Sequence, residues 1–179
     1  MKTANLETDN PNILLIEPDI ERDAPLSAEW LKGKVGRNTL RLMGVADKDN
    51  NATTLEHEKE RVKDFIEDED QFNWMIAYQE EIIGSVWVDL KQSEYLQGPS
   101  VHIMIGNPEA RGKGVGLSCI TAVLDCLKQQ GHKQVHSRYL TINEASKNLL
   151  TELNFHEVGE PYADKDHLEF QNVVKKFGS

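Results

Sequence analysis

The feature that most constrains the fold is a strand, a glycine-rich turn and a long helix, which follow one another along the sequence. Residues 100–105 alternate, with apolar side chains at every second position, which is typical of a strand half buried on one face. Residues 112–130 then repeat apolar side chains at helical spacing, and Gly131 stands where a helix commonly ends in a left-handed residue. This order predicts a single domain of mixed α+β type.

The turn between strand and helix predicts an anion-binding site. It reads Gly106-Asn107-Pro108-Glu109-Ala110-Arg111-Gly112-Lys113-Gly114-Val115-Gly116. Glycine lacks a Cβ atom, so the backbone can approach a ligand closely and adopt positive φ angles. The first turn of the helix offers unpaired N–H groups and a partial positive charge, and Arg111 and Lys113 add two cations. A pyrophosphate group is the natural ligand of such a site.

Two common pyrophosphate-binding loops do not fit these residues. A Walker A loop would need glycine where the chain has Asn107, and serine or threonine after Lys113, where it has Gly114. A dinucleotide-binding fingerprint that begins at Gly112 would need glycine where the chain has Leu117. Neither nucleotide-binding motif is therefore present.

The pattern that remains is Arg111-x-x-Gly114-x-Gly116 between a strand and a helix. It resembles the signature of the GNAT superfamily of acyl-CoA-dependent N-acyltransferases, and Pro108 also fits the common form of that motif. The resemblance implies an α+β fold with a mostly antiparallel central sheet, helices on both faces and central strands that splay apart. It also implies acetyl-CoA as co-substrate. No metal is predicted, because His132 and His136 straddle a helix end and a strand and no cysteine or carboxylate stands at ligand spacing.

A second stretch, from Asn143 to Phe155, matches a downstream pattern of the same family without a gap. Asn143 and Phe155 are the matching residues, and Asn154 replaces a glycine of the pattern. Asparagine is the next-best residue for a left-handed helix end. Leu150 departs from the pattern, because many members have a tyrosine there, which is the usual candidate to protonate the leaving thiolate.

The resemblance assigns a set of residues to the cofactor. It implies that the diphosphate lies on backbone amides of the turn, that the pantetheine arm pairs with the preceding strand, and that two residues of the next helix contact the arm. The positions that match are, in that order, Arg111, Gly112, Lys113, Gly114, Val115 and Gly116; Met104, Ile105 and Gly106; and Asn143 and Ser146. A strand N–H near Met104 would stabilise the developing oxyanion.

The chemistry that the resemblance implies is direct attack of an amine on the acetyl thioester. An alkylammonium group has a pKa of about 10.4 and is not nucleophilic at neutral pH, so a base must first remove a proton. His102, on the strand before the turn, is the first candidate, and Asp89, late in the neighbouring strand, is the second. With Leu150 in the tyrosine position, the thiolate is protonated by water, by Tyr139 or by no group.

The acceptor remains open between an aminoglycoside-like polyamine and a protein N-terminus, that is, a small-molecule amine or a basic peptide. A net charge of −10 favours a cationic acceptor slightly. Trp30 could line the acceptor pocket, whereas core packing is favoured for Trp74 and Trp87. The alternative class of function is a GNAT domain that binds acyl-CoA without catalysis, as a sensor or interaction module, and Leu150 is its main support.

The composition limits the number of domains, the partners and the location expected for this chain. Residues 1–179 hold one domain, with residues 1–11 as a frayed polar leader, and no apolar run is long enough for a membrane span. The acidic balance argues against nucleic acid as a partner, and a homodimer is allowed. Cys119 and Cys126 stand seven apart on one predicted helix, about 10 Å apart at the helical rise, so they predict reduced thiols and a cytoplasmic location.

The remaining elements follow from periodicity. Thr53 to Glu56 has the spacing of a capping box, with Thr53 as the cap three residues before Glu56, and residues 37–45 are ambiguous. The predicted strands are residues 13–16, 72–78, 82–90, 134–140, 155–158 and 167–174, and the further predicted helices are residues 21–34, 55–67 and 144–153.

Overall fold

The computed structural model describes residues 3–178, which form eight strands and five α-helices. The strands are β1 (Leu6–Glu7), β2 (Ile13–Ile16), β3 (Gln71–Tyr78), β4 (Glu81–Asp89), β5 (Ser100–Ile105), β6 (Gln134–Leu140), β7 (His156–Ala163) and β8 (Glu169–Lys176). The helices are α1 (Ile20–Trp30), α2 (Gly33–Leu42), α3 (Leu55–Glu67), α4 (Val115–Gln129) and α5 (Glu144–Glu152).

All strands belong to one mixed sheet, in the spatial order β1-β2-β3-β4-β5-β6-β8-β7. Every neighbouring pair is antiparallel except β5 and β6, which run parallel. The parallel pair is joined by the crossover helix α4, as a parallel connection requires. The predicted α+β class and the mostly antiparallel sheet are confirmed.

The two central strands β5 and β6 splay apart. Their pairing is limited to Ser100 opposite His136, where the His136 N–H donates to the Pro99 carbonyl at 2.8 Å. On its other side β6 pairs with β8 along its full length. The sheet therefore opens into a cleft beyond Ser100, as the resemblance implied.

Helices cover both faces of the sheet. On one face α4 buries Cys119, Val123 and Leu127 in the core that includes Val86 and Val101 of β4 and β5. On the other face lie α1 and α3, and the side chain of Asn73 donates from β3 to the Phe65 carbonyl of α3 at 2.9 Å. Because side chains alternate along a strand, the two helical layers contact different residues of each strand.

The structure corrects the sequence prediction at the N-terminal part of the chain. The predicted polar leader is not frayed along its length, because β1 pairs with β2 and the Trp74 indole N–H donates to the Ala4 carbonyl at 2.9 Å. Residues 21–34 are not one helix, since α1 ends at Trp30 and α2 begins at Gly33. The ambiguous segment 37–45 belongs largely to α2.

Other boundaries also differ from the prediction. The cap of α3 is Thr54, whose hydroxyl accepts from the His57 N–H at 3.2 Å, and not Thr53, whose hydroxyl donates to Glu58 at 2.7 Å. Helix α4 begins at Val115 rather than at residue 112, which leaves the glycine-rich turn outside the helix. Strand β7 continues to Ala163, because β8 offers it a partner that local periodicity does not reveal. Within residues 3–178, no helix has the length and apolar content needed to cross a membrane.

Candidate active site

A cleft of about 370 Å³ lies where β5 and β6 separate. Its walls come from these two strands, from the ends of α2 and α5, and from β4 and β8. Arg111 and Asn143 line the cleft, and so do His102 and Asp89. The splay thus brings the two predicted catalytic residues to one cavity with five predicted cofactor residues, whereas Gly106 and residues 112–116 are not in its lining. The five are Met104, Ile105, Arg111, Asn143 and Ser146.

The backbone of β5 presents hydrogen-bonding groups to this cleft. The Gly106 N–H donates to the Ile83 carbonyl of β4 at 2.8 Å, and in an antiparallel pair the bonded positions alternate. The N–H of Met104 therefore faces β4, whereas the N–H groups of Ile103 and Ile105 face the opening. A strand N–H near Met104 is therefore available in the opening at Ile103 and Ile105, and not at Met104 itself.

Two side chains confirm which groups of β5 face away from β4. The Ser137 hydroxyl of β6 donates to the Val101 carbonyl at 2.8 Å. The Arg111 guanidinium donates to the Ile105 carbonyl, at 3.0 Å from Nε and 2.9 Å from Nη2. Both acceptors are odd-numbered residues of β5, as the alternation requires. Beyond the pairing with His136, the N–H and carbonyl of Ile103 and the N–H of Ile105 are the groups left for a ligand.

The glycine-rich turn leaves its backbone bare. Gly112 and Gly114 have φ angles of +71° and +77°, and a Cβ atom built on either residue would meet nothing within 4 Å. Gly114 is the first flanking residue of α4 and makes no side-chain cap, whereas Asp19 and Thr54 cap α1 and α3. The first N–H groups of α4 therefore have no capping side chain, and the turn has open space beside it, which suits an anion.

The other two glycines of the turn serve packing. A Cβ atom on Gly106 would lie 2.3 Å from the Trp30 ring, so this glycine lets α1 approach the end of β5. On Gly116 a Cβ atom would lie 3.1 Å from Leu149, so this glycine lets α4 approach α5. The lack of a Cβ atom at these two residues therefore serves helix packing, and contact of their backbone with a cofactor stays a prediction.

Arg111 and Lys113, the two predicted cations of the turn, differ in their hydrogen-bond partners and exposure. The Arg111 guanidinium is held by the Ile105 carbonyl and also donates to the Thr39 hydroxyl of α2 at 2.9 Å. Burial lowers the pKa of Arg111 from its ordinary value. This side chain ties α2 to β5 and is not a free cation of the turn, which corrects the expectation. Lys113 is exposed at the turn and is a cation available to a diphosphate.

Asn143 lies in the cleft but has structural partners. Its Oδ1 atom caps α5 by accepting from the Ser146 N–H at 3.1 Å, and its Nδ2 atom donates to the Leu42 carbonyl at 3.2 Å. Ser146 also lines the cleft. The side chain of Asn143 therefore joins α2 to α5, and contact of these two residues with a cofactor stays a prediction.

The two candidate bases form one pair. His102 Nε2 lies 3.1 Å from Asp89 Oδ2 and 3.1 Å from the Ser100 hydroxyl oxygen. The His102 ring stacks on Trp87, with centroids 5.4 Å apart and an interplanar angle of 21°. Nδ1 of His102 has no hydrogen-bond partner among residues 3–178, and the side chain is 22% exposed. One ring nitrogen is thus held while the other is available to a substrate.

Asp89 stays ionised beside the histidine. Burial by itself would raise the pKa of the Asp89 carboxyl, but the hydrogen bond and charge of His102 and a hydrogen bond from Gln71 hold it below its ordinary value. An ionised carboxylate favours the His102 tautomer with its proton on Nε2. Asp89 therefore positions the histidine.

Two residues bear on protonation of a leaving group. Leu150 is 5% exposed and lines the cleft, so the side chain at the position where the resemblance predicts a tyrosine is apolar. Tyr139 also lines the cleft, but its hydroxyl donates to Glu157 Oε1 at 2.9 Å. Burial, together with Glu157, raises the pKa of Tyr139 to about 12. The Tyr139 proton is therefore committed to Glu157.

The tryptophans are arranged differently from the prediction. Trp87 lines the cleft against His102, although core packing was favoured for it. Trp30 packs on Gly106 instead of lining the cleft. Trp74 is a core residue, as predicted.

Sequence analysis also missed Arg138, which lines the cleft from β6. The only signal for it is the strand pairing, because Ser100 lies opposite His136 and Arg138 follows two residues later. No group of three histidine, cysteine or carboxylate side chains gathers to hold a metal in the part of the chain that the structure describes.

The comparisons with known proteins agree with this fold. A family model described as "Acetyltransferase (GNAT) domain" matches residues 13–156. No curated protein matches the sequence significantly. Solved structures of 14–17% identity share the fold.

Three of these structures illustrate the similarity. The microcin C7 self-immunity acetyltransferase, solved with acetyl-CoA and AMP, is 14% identical with a TM-score of 0.76 over 94% of both chains. The Salmonella typhimurium enzyme that modifies the N-terminal serine of ribosomal protein L7/L12 is 14% identical, with a TM-score of 0.75 over 98% of this chain and 100% of that chain. The Vibrio cholerae spermidine N-acetyltransferase, solved with CoA and spermine, is 17% identical, with a TM-score of 0.72 over 93% of this chain and 96% of that chain.

Proposed function

Because this chain belongs to the GNAT acetyltransferase family, we propose that it transfers an acetyl group from acetyl-CoA to a primary amine. The observation that carries the proposal is the cleft between β5 and β6, which joins the end of β5 beside the bare turn to the His102–Asp89 pair. Acceptors of two structural relatives, a protein N-terminus and spermidine, are also amines.

The chain's backbone would hold the cofactor. The amides of residues 112–116 offer unpaired donors to a diphosphate, and Lys113 adds a positive charge. The carbonyl of Ile103 and the N–H of Ile105 can pair with amide groups of the pantetheine arm, as an added strand would. Acetyl-CoA, when bound, supplies an activated acyl group.

The side chains on the opposite part of the cleft would activate the acceptor. His102 Nδ1 takes a proton from the ammonium group. Asp89 accepts a hydrogen bond from the Nε2–H group and stabilises the imidazolium. The N–H of Ile103, beside His102, faces the opening and would donate to the oxygen that gains negative charge. Each group acts from a fixed position on β4 or β5.

No side chain is needed to protonate the leaving thiolate. A thiol has a reference pKa of about 8.5, so the thiolate is a fair leaving group near neutral pH. Leu150 cannot donate a proton, and the Tyr139 proton is held by Glu157. We assign this proton to water.

A second candidate function is an acyl-CoA-binding module without catalysis, and the apolar Leu150 in the cleft favours it. A thiol-release assay with a panel of primary amines, read together with the mass of the acetylated product, separates the two functions. Amine-dependent thiol release supports the transferase. Tight acetyl-CoA binding without turnover on any amine would establish the module instead.

A further inference from the structure

We propose that Arg138 binds a carboxylate of the acceptor, so that the substrate class is an amine that also carries a carboxylate group. This inference rests on the proposed function and specifies its substrate. Three observations support it, namely the position of Arg138 in the cleft, its lack of an acidic partner among residues 3–178, and the charge on the opposite wall.

The strand register places Arg138 across the cleft from His102. Ser100 and His136 are directly paired in parallel strands, so their side chains lie on the same face of the sheet. His102 and Arg138 each follow two residues later, on that same face. Because the strands separate beyond the pair, the two side chains line opposite walls of the opening.

The Arg138 guanidinium is held in place but has no acidic partner. Its carbon lies 3.9 Å from the centroid of the Phe170 ring, and Nη1 donates to the Tyr162 hydroxyl at 3.3 Å. The Tyr162 hydroxyl in turn donates to Asn172 Oδ1 at 2.8 Å, and the Tyr162 ring stacks on that of Tyr95, with centroids 5.7 Å apart. The aromatic residues therefore fix the plane of the guanidinium.

Most donors of this guanidinium are free. A guanidinium has five N–H donors in a fork that matches a carboxylate, and Tyr162 takes one of them. Within residues 3–178 no carboxylate lies within 4.0 Å of Arg138, whereas Arg22 is paired with Asp23 and Arg61 with Glu58. Among residues 3–178, Arg138 is thus a half-buried cation of the cleft without an anionic partner.

The charges on the two walls suit a zwitterion. The wall of β4 and β5 carries the ionised Asp89 beside His102, which attracts the ammonium group of an acceptor. The wall of β6 carries Arg138, which attracts a carboxylate on the same molecule. A polyamine would instead bring a second cation towards Arg138, so the geometry argues against the polyamine that net charge favoured.

Two sources could supply this chemistry, a free amino acid or a peptide whose N-terminal residue is acidic. The test compares kcat/KM for ω-amino acids, from β-alanine to 6-aminohexanoate, with kcat/KM for alkylamines of the same chain length. Peptides that begin with Asp or Glu are compared with peptides that begin with Asn or Gln. Spermidine is the polycationic reference.

The wild-type protein should prefer the carboxylate-bearing acceptor of the best spacing by about tenfold or more over its neutral counterpart, as a charged hydrogen-bonded pair implies. The Arg138→Gln variant should lose most of this preference, and Arg138→Lys should retain part of it because the charge remains. Arg41→Gln, which changes an exposed arginine outside this cleft, is the matched control and should keep the preference.

The outcomes separate the two proposals. Turnover without a preference for carboxylate, a preference for spermidine, or an unchanged preference in Arg138→Gln would overturn the role of Arg138 and leave the transferase standing. Absence of turnover with every amine, while acetyl-CoA still binds, would overturn the proposed function and this inference together.

Discussion

The cofactor side and the acceptor side of the cleft are built from different material. On the proposed cofactor side the groups available to a ligand are backbone atoms of one continuous segment, from Ile103 on β5 to Gly116 at the start of α4. On the acceptor side they are side chains of four strands, namely Trp87, Asp89, His102, Arg138 and Phe170. A backbone site is fixed by local geometry, whereas a side-chain site depends on which strands meet.

This difference has a consequence for variation. A backbone site that uses positive φ angles tolerates few changes, because most side chains are strained there. A wall of side chains can be altered one residue at a time while the sheet stays intact. We therefore expect substitutions on the cofactor side to abolish binding and substitutions on the acceptor side to change rate or selectivity.

The largest effect is expected for Gly114→Val. The side chain would fill the open space beside the turn and strain a residue whose φ is +77°, so calorimetry should show acetyl-CoA affinity reduced by at least about a hundredfold, the loss of several hydrogen bonds to a charged group. Gly131→Val is the matched control, since Gly131 also has a positive φ, of +89°, and open space. Both variants should lose about 1–2 kcal/mol of stability, but only the first should lose binding.

His102→Ala should lower kcat by roughly 10²- to 10⁴-fold, the range of general base catalysis. Its acetyl-CoA affinity should remain close to that of the wild type, because His102 belongs to the acceptor side. Steady-state kinetics and calorimetry on the same preparation measure both quantities. If kcat is unaffected, His102 is not the base, and Asp89 takes its place as the candidate.

Tyr139→Phe should have a modest effect. The hydroxyl donates to Glu157 and its pKa is raised to about 12, so removing it should cost about 1 kcal/mol of stability and change kcat by less than about threefold. Urea denaturation and kinetics measure the two effects. A drop in kcat of about a hundredfold, the size of an acid–base effect, would show that Tyr139 is the proton donor after all.

The smallest effect concerns the stability contributed by Asp89. Because its folded-state pKa is held below the ordinary 3.8, the ionised carboxylate stabilises the fold above that pH, and this contribution is lost as the pH falls through the folded value. The free energy of unfolding of Asp89→Asn should therefore lie below that of the wild type at neutral pH by less than about 1 kcal/mol, since the group is partly screened by solvent. A gap that widens below pH 3.8 would contradict the sign of the shift.

The same contrast explains what the sequence could predict. Gly112 and Gly114 were predicted correctly as open positions because their spacing and their helix are local features. Arg111 was misjudged, since its side chain turns back to the Ile105 carbonyl, only six residues away. Arg138 was missed because its place opposite His102 depends on strand pairing between residues 36 positions apart.

Packing decided the remaining differences. Trp30 packs against Gly106 instead of lining the cleft, and Trp87 lines the cleft because His102 stacks on its ring. The cap of α3 is Thr54 rather than Thr53, because both neighbouring threonines are suitable N-cap residues and the sequence alone does not distinguish them. The fold class and the splay followed from the resemblance, whereas the contacts of individual side chains required the tertiary structure.

The most direct test of the central claim is a crystal structure of this chain grown with acetyl-CoA. We predict that the diphosphate oxygens lie about 3 Å from the amides of residues 112–116 and that the pantetheine arm pairs with Ile103 along the edge of β5. A cofactor bound elsewhere, or a diphosphate held only by side chains away from this turn, would contradict the account.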